Sequence, residues 1–151
     1  MFEIRIMSLM DVSFVLHTLK QSLKWSNKRI VKVARFMQTL PCGLVLVKGE
    51  EPVGFMIYNK KGDTNTIKLI TVLPAYRRKG GALALLLSPI VSYSQQNVDI
   101  PFEAEVPEDN LEAQMLFRKA GFKFRGRKTG SNGDKFIFRY KFVEEGAKEN
   151  V

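Results

Sequence analysis

Three consecutive cations followed by two glycines are the residues whose types and spacing point most directly to chemistry in this sequence. They read Arg77-Arg78-Lys79-Gly80-Gly81, after an apolar run and before a leucine-rich helical pattern. The N–H groups at a helix start point outward with the positive end of the helix dipole, and glycine lets an anion approach the backbone closely. The stretch therefore predicts a phosphate-binding turn between a strand and a helix.

Two carboxylates further along share one face of a predicted strand. Glu103 and Glu105 alternate with the apolar residues Phe102, Ala104 and Val106, and successive side chains of a strand point to opposite faces. The alternation therefore predicts that both carboxylates lie on the same face. The simplest interpretation is that they are solvated carboxylates of an exposed strand.

These features, in this order, resemble the GNAT superfamily of N-acetyltransferases. The stretch from Arg77 to Ala82 is similar to that family's (Gln/Arg)-x-x-Gly-x-(Gly/Ala) loop for the acyl-CoA pyrophosphate. Residues 105–122 read EVPEDNLEAQMLFRKAGF and resemble the E-V-x-x-x-N-x-x-A-x-x-L-Y-x-x-x-G-F signature, nearest in motif to the branch that acetylates ribosomal-protein N-termini. The resemblance implies an α+β GNAT fold, with a mostly antiparallel twisted sheet flanked by helices and splayed to admit acyl-CoA.

The same resemblance implies the activity and the cofactor contacts. It implies an acyl-CoA-dependent N-acyltransferase that moves an acetyl group from acetyl-CoA to an amine by direct attack in a ternary complex. An acyl-CoA-binding module with little catalysis is the alternative from a different functional class. The implied cofactor contacts are Val72, whose backbone would pair with the pantetheine arm, and Arg77, Arg78, Lys79, Gly80, Gly81, Ala82, Asn110 and Phe117.

The catalytic residues carried over from the family are less complete. The resemblance places the base at Glu105, with Glu103 as its competitor. The family's usual acid is a tyrosine, and the matching residue here is Phe117, which cannot donate a proton. Either the thiolate leaves unassisted, or a tyrosine elsewhere substitutes: Tyr58, Tyr76 or Tyr140, of which Tyr140 is our choice. The alternative is that Tyr140 has only a structural role, as one of the aromatic residues of the closing strand.

The charge distribution bears on the acceptor amine. The formal net charge is +9, and the acid-free stretches 12–49 and 118–128 hold seven and six lysines and arginines, respectively. Three interpretations stay open: solvated helix faces together with cofactor phosphate contacts, attraction of an acidic protein or peptide, or attraction of a nucleic-acid-borne amine such as that of aminoacyl-tRNA. We recognise no nucleic-acid-binding motif. The acceptor's identity, the kind of amine and the oligomeric state are open.

Length and composition limit the organisation of the chain. A chain of 151 residues fits one domain, which we assign to residues 1–143, followed by a polar tail at 144–151. No apolar run approaches the about 20 residues of a membrane span, so we expect a cytoplasmic protein without membrane contact. A single histidine, His17, and a single cysteine, Cys42, predict neither a disulfide nor a metal site.

Apolar periodicity supplies the elements that position these residues. It predicts strands near 2–6, 43–47, 53–59, 66–73, 102–106, 122–125 and 136–142, and helices after residues 11, 29, 80 and 110. Asp11 is the expected N-cap of the first helix, and Pro89 is expected to kink or end the third near residues 85–88. The second helix is expected to present Leu40 on its apolar face, and Pro41 to end it.

The last helix and the last loop carry further local predictions. Asp109 and Glu112 resemble a capping box at the start of that helix, and Gly121 is expected to stop it. We expect its core-facing residues to be Leu111, Met115, Leu116 and Ala120. Residues 126–134 are basic and glycine-rich, which predicts a mobile loop.

Overall fold

The computed structural model describes residues 1–39 and 41–142, and within these residues it has seven strands and four α-helices. The strands are β1 Phe2–Ile6, β2 Cys42–Lys48, β3 Glu51–Lys61, β4 Thr64–Val72, β5 Phe102–Pro107, β6 Lys123–Lys128 and β7 Lys135–Tyr140. The helices are α1 Val12–Gln21, α2 Asn27–Met37, α3 Gly81–Gln95 and α4 Leu111–Lys119.

The strands form one sheet in the order β1-β2-β3-β4-β5-β7-β6. The pairs β1–β2, β2–β3, β5–β7 and β6–β7 are antiparallel. The pair β4–β5 is parallel, with Asn65 opposite Phe102 and Ile67 opposite Ala104. The expected α+β class, a mostly antiparallel sheet with flanking helices, is therefore confirmed.

The chain divides into two compact units. The first comprises Met1–Asn59 with Lys68–Leu85, and the second comprises Lys60–Ile67 with the residues from Leu86 onward. The predicted domain boundary at residue 143, the tail at 144–151 and the place of Leu40 on the second helix lie outside the described residues. None of the described helices combines the length and apolarity that a bilayer crossing requires.

The core of the first unit is built by α1, α2 and β3. Val15 and Leu19 of α1 pack with Met37 of α2 and with Phe55 and Ile57 of β3, and all five are buried. The spacing of Val15 and Leu19 is the i, i+4 spacing of one helix face. The apolar faces predicted from periodicity for the first two helices are therefore confirmed for these residues.

Asp11 occupies the predicted N-cap position of α1, but its side chain does not cap the helix. Its backbone is already helical, and its side chain makes no cap hydrogen bond to α1. The Arg5 guanidinium instead donates two bonds of 2.8 Å to the carboxylate, which also accepts the Ser8 N–H at 2.8 Å. The Arg5 bonds hold the pKa of Asp11 below its ordinary value. The carboxylate therefore ties β1 to the turn that precedes α1.

Helix α3 continues through Pro89 to Gln95, so the early end expected near residues 85–88 does not occur. An interior proline costs a helix about 3 kcal/mol. Leu85, Leu86 and Ile90 around it are almost fully buried, and each such side chain contributes about 1.5–3 kcal/mol. Burial of these side chains therefore outweighs the lost backbone hydrogen bond.

Helix α4 begins and faces differently from the prediction. Its N-cap is Asn110, whose Oδ1 accepts the Ala113 N–H at 3.1 Å, and not Asp109. Leu111 and Met115 were expected in the core but are 67% and 70% exposed. The buried positions are Gln114, Phe117 and Ala120, spaced three residues apart. The packed stripe therefore runs along a polar residue that an apolar pattern does not reveal.

The stop at Gly121 is confirmed. Gly121 has φ +96, its N–H donates to the Arg118 carbonyl, and the Phe122 N–H donates to the Phe117 carbonyl. This pair of bonds is a Schellman motif, which requires a left-handed residue that glycine adopts without steric cost. The Phe117 and Phe122 rings pack edge to face across the motif, with centroids 5.1 Å apart.

The hairpin of β6 and β7 has a shorter loop than predicted. Residues 126–128 belong to β6, because Gly126 pairs with Ile137 after a bulge. The Arg127 guanidinium donates to Glu108 at 2.8 Å and to Asp134 at 2.6 Å, and the Glu108 N–H donates to the Asp134 carbonyl at 3.1 Å. The base of the hairpin loop is therefore fixed to the end of β5.

Candidate active site

The turn between β4 and α3 has the geometry of an anion site. Arg78 and Gly80 have φ +62 and +84, so the backbone is left-handed at both residues just before the helix begins. The Ala84 N–H donates to the Gly80 carbonyl and closes the first turn. By helix geometry the N–H groups of the three residues before Ala84 have no carbonyl partner within α3. They are the donors that a phosphate would take at this end of the helix.

The two glycines of this turn are required for different reasons. A Cβ added at Gly81 would lie 2.5 Å from the Leu46 Cδ2, so glycine lets α3 start close against β2. A Cβ at Gly80 would meet nothing within 4 Å, but the φ of that residue is one that L side chains rarely adopt. Gly81 therefore serves packing, and Gly80 serves the conformation of the turn.

The side chains around the turn supply positive charge. Arg77, Arg78 and Lys79 are exposed. The Arg77 Nε donates to the Val72 carbonyl at 2.7 Å, so this guanidinium ties the turn to the end of β4. Val72 itself is buried, and its carbonyl already has a donor. All the predicted loop residues and Val72 belong to the first unit.

In the second unit the carboxylates lie on what we call the charged face. This is the side of β5, β7 and β6 that carries Glu103, Glu105, Lys123, Lys128, Lys135 and Arg139, as the strand register requires. Glu103 is opposite Arg139, and Glu105 is opposite Ile137. The prediction that both carboxylates share a face is confirmed by this register.

The two carboxylates have unequal partners. Glu103 Oε2 accepts from Nε of Arg139 at 2.9 Å and lies 2.9 Å from its NH2 nitrogen, and both side chains are about three-quarters buried. Glu105 Oε2 is 3.4 Å from the Lys128 Nζ, a long contact with a lysine that is 61% exposed. Glu103 is therefore held by a two-point ion pair, whereas Glu105 is loosely held and accessible. Of the two, Glu105 is better placed to serve as a base.

The opposite side of the same strands is what we call the aromatic face, formed by Phe102, Ala104, Val106, Phe124, Phe136, Phe138 and Tyr140. Phe117 of α4 is 3% exposed and stacks on Phe138 with centroids 6.3 Å apart. Tyr140 packs on Phe122 at 5.7 Å. Tyr140 therefore lies on the other side of the sheet from Glu105, and the structure does not bring this pair together on one face.

The remaining predicted residues fall into structural roles. Asn110 is exposed and caps α4 through its Oδ1. Tyr58 is buried in β3, and Tyr76 lies 5.6 Å below the Lys48 ammonium. Among residues 1–39 and 41–142, no group of three or more His, Cys, Asp or Glu side chains is arranged to hold a metal ion.

Sequence reasoning missed Gln114, which holds the turn between β5 and α4. Its buried Nε2 donates to the carbonyls of Pro107 at 3.2 Å and Glu108 at 2.8 Å. Pro107 is two residues beyond Glu105, so this amide fixes the backbone that follows the candidate base. The available signal was its position three residues before Phe117 and six before Ala120, one stripe of a helix.

Comparison with known proteins adds three findings. The model of the Acetyltransferase (GNAT) family matches residues 13–122. The ribosomal-protein-S18-alanine N-acetyltransferase of Escherichia coli is similar in structure, with a TM-score of 0.78, 23% identity, and coverage of 100% of this chain and 99% of that one. Ard1 of Thermoplasma volcanium has a TM-score of 0.76, 23% identity, and coverage of 95% and 99%.

The third relative was solved with coenzyme A. It is the PaiA N-acetyltransferase of Thermoplasma acidophilum, with a TM-score of 0.72, 18% identity, and coverage of 94% of this chain and 99% of that one. No curated protein sequence is similar enough to count as a match. At these identities the structural likenesses show the fold, and the family match covers most of the chain.

Proposed function

The chain belongs to the GNAT family of acetyltransferases, and from this premise we propose that it acetylates an amine of a protein or peptide. Its fold is the GNAT fold, and acetyl-CoA is its acyl donor, so it is an acyl-CoA-dependent N-acetyltransferase. The family match favours an enzyme over a binding module with little catalysis. The acceptor class and the residue roles below are our proposal.

The turn from Arg77 to Ala82 is the observation that carries the proposal. Positive φ at Arg78 and Gly80 leads the chain into α3, and three exposed cations directly precede the helix start with its free N–H groups. A doubly charged pyrophosphate suits this combination, because the helix dipole and the side-chain charges act in the same direction. The five residues of β4 after Ile67, which end at Val72, would offer backbone groups to the pantetheine arm.

Glu105 is the proposed base. A protonated amine cannot attack, so its proton passes to the carboxylate, directly or through one water. The neutral nitrogen then attacks the thioester carbonyl and the C–N bond forms. The nitrogen of the tetrahedral intermediate gives its second proton to water, and the C–S bond breaks as the intermediate collapses to the amide. The accessible Oε2 of Glu105 and its long contact with Lys128 support this choice over Glu103.

The CoA thiolate is proposed to leave without a side-chain acid. Phe117 is buried among aromatic rings and has no proton to give, and Tyr140 is on the aromatic face, away from Glu105. A thiolate is a weak base, since thiols have pKa values of about 8.5, so it can depart and take its proton from water. Tyr140 is therefore not part of the proposed mechanism.

A protein or peptide amine is favoured as acceptor by the relatives. One similar structure is named as acetylating an alanine of ribosomal protein S18. The excess of cations in the chain makes an anionic acceptor more suitable than a cationic one. Only the positive net charge of the chain favours an acceptor carried on nucleic acid.

The direct test is to measure acetyl-CoA-dependent turnover of peptides with an N-terminal alanine by the parent and by the Glu105→Gln variant. We expect the substitution to lower kcat about 10²- to 10⁴-fold, the range of general base catalysis, with the affinity for acetyl-CoA unchanged in calorimetric titration. Glu103→Gln is the matched control, because it removes the neighbouring carboxylate of the same face.

The outcomes separate the parts of the proposal. Equal rates for the parent and Glu105→Gln would remove Glu105 as the base, and a loss confined to Glu103→Gln would transfer the role to Glu103. No acetylation of any peptide by the parent, with acetyl-CoA bound, would contradict the protein or peptide acceptor. Unchanged acetyl-CoA binding in an Arg78→Glu, Gly80→Asp double variant would contradict the pyrophosphate site.

A further inference from the structure

The charged face carries more cations than carboxylates. Its members are four cations, Lys123, Lys128, Lys135 and Arg139, and two carboxylates, Glu103 and Glu105, which leaves a net charge of +2. Glu103 is occupied by Arg139 through the two-point ion pair. The Lys128 ammonium lies against the proposed base, and its positive charge disfavours a cationic acceptor segment.

An acceptor amine bound at Glu105 would change the charge balance between Glu105 and Lys128. The Lys128 Nζ is 3.4 Å from Glu105 Oε2, and Lys128 is the more exposed partner. When an amine or its bridging water takes the Glu105 oxygen, the lysine loses part of its counter-charge. A carboxylate brought in by the acceptor would restore it.

We propose that Lys128 is a specificity-determining residue that binds an acidic side chain next to the acceptor amine, so that the preferred acceptor is an acidic N-terminus. This inference rests on the proposed function, since it takes Glu105 as the site of the attacking amine. Neighbouring Cα atoms of a peptide are about 3.8 Å apart. An acidic second residue therefore reaches a lysine whose Nζ is 3.4 Å from the base.

Arg139 is a poorer candidate for the same role. Its guanidinium is held by Glu103 at 2.9 Å through two nitrogens, and its side chain is about three-quarters buried. Binding an acceptor carboxylate there would require that pair to break. Lys128 requires only the loss of one long contact, and its flexible side chain can follow the acceptor.

The test uses three peptides that differ only in the second residue, Ala-Asp, Ala-Asn and Ala-Lys at the N-terminus, with acetyl-CoA saturating. For the parent we expect kcat/KM to be about two- to fivefold higher for Ala-Asp than for Ala-Asn, the effect of one partly exposed ion pair. Ala-Lys should be the poorest substrate. The preference should weaken as salt is raised, because exposed charges are screened.

Lys128→Glu is the decisive variant, and we expect it to reverse the order, so that Ala-Lys exceeds Ala-Asp. Lys61→Glu is the matched control: it makes the same change of net charge at an exposed residue at the end of β3, and the parent order should persist. Lys128→Met should abolish the preference for Ala-Asp over Ala-Asn. Its acetyl-CoA affinity in calorimetric titration and its circular dichroism should match those of the parent, which separates lost recognition from a failure to fold.

Each result bears on a different claim. Turnover of all three peptides by the parent at equal kcat/KM, or an unchanged order in Lys128→Glu, would overturn the role of Lys128 and leave the acetyltransferase function intact. No turnover of any peptide would overturn the proposed acceptor class. Acetylation of alanyl-tRNA in preference to all three peptides would replace the acidic peptide with a nucleic-acid-borne acceptor.

Discussion

The phosphate-binding turn that we propose at residues 77–82 and the charged face would bind charge by different means. In the turn, the donors are main-chain N–H groups that are aligned by the positive φ of Arg78 and Gly80 and by the start of α3. On the charged face, the groups are side chains that meet across β5, β7 and β6 only because of the strand register. Main-chain donors have fixed positions, whereas Lys128 keeps an exposed and flexible ammonium.

Each region is therefore sensitive to a different kind of substitution. A site made of backbone is sensitive to a single methyl group that alters φ, because its donors move with the chain. A site made of side chains tolerates such a methyl group and is sensitive to a change of charge. The two regions also suit their ligands: the pyrophosphate of acetyl-CoA is constant, whereas the acceptor segment varies.

The largest loss of stability is expected at Gln114, whose side-chain amide is the hydrogen-bond donor to two backbone carbonyls. Gln114→Leu leaves the carbonyls of Pro107 and Glu108 without their donor, and an unsatisfied buried polar group costs about 1–3 kcal/mol. We expect the free energy of unfolding in urea to fall by that amount. Because the turn follows Glu105, kcat should also fall while acetyl-CoA affinity stays constant.

Gln21→Leu is the control for this change. It makes the same substitution at an exposed helical residue, where the free energy of unfolding should change by less than about 0.5 kcal/mol. A Gln114→Leu protein as stable and active as the parent would mean that water satisfies the two carbonyls. The charged face would then not depend on this amide.

The fold was largely predictable because it follows from periodicity. The strand at Phe2–Ile6 and the buried face of α1 were placed from alternation and from the i, i+4 spacing. The turn between β4 and α3 was predicted at the correct place because its glycines and cations are adjacent in sequence. Local patterns of this kind need no knowledge of which elements meet.

The candidate site was less predictable because its contacts are distant in sequence. Lys128 and Glu105 are 23 positions apart, and only the register of three strands brings them together. The prediction of the buried face of α4 was wrong for a related reason. Leu111 and Met115 are apolar but exposed, whereas Gln114 is polar but buried, with its amide hydrogen-bonded to two carbonyls. Composition alone cannot show that a buried amide has its partners.

The next largest effect tests the backbone site itself. Gly80→Ala forces an L side chain into φ +84, a conformation that costs about 1–2 kcal/mol. If the turn relaxes, its N–H groups leave the pyrophosphate, so we expect the Kd for acetyl-CoA to rise about tenfold or more in calorimetric titration.

Gly62→Ala is the control for Gly80→Ala, because it introduces the same backbone strain at a turn away from the proposed cofactor site. Gly62 has φ +63 and open space around it, in the turn between β3 and β4. Its stability loss should match that of Gly80→Ala, but acetyl-CoA affinity should not change. Equal affinities in both variants and the parent would contradict the view that the backbone of the turn forms the cofactor site.

The smallest effect is expected for the same substitution on the charged face. Gly126 pairs with Ile137 in β6, its φ is not in the left-handed region, and an added Cβ would meet nothing within 4 Å. Alanine lowers the entropy of the unfolded chain, so Gly126→Ala should leave stability unchanged or raise it by about 0.5–1 kcal/mol. The preference for Ala-Asp over Ala-Asn should stay as in the parent, because Lys128 keeps its charge and its place in the strand.

A loss of that preference would mean that the charged face depends on its backbone as the phosphate-binding turn does, and the distinction between the two regions would fail.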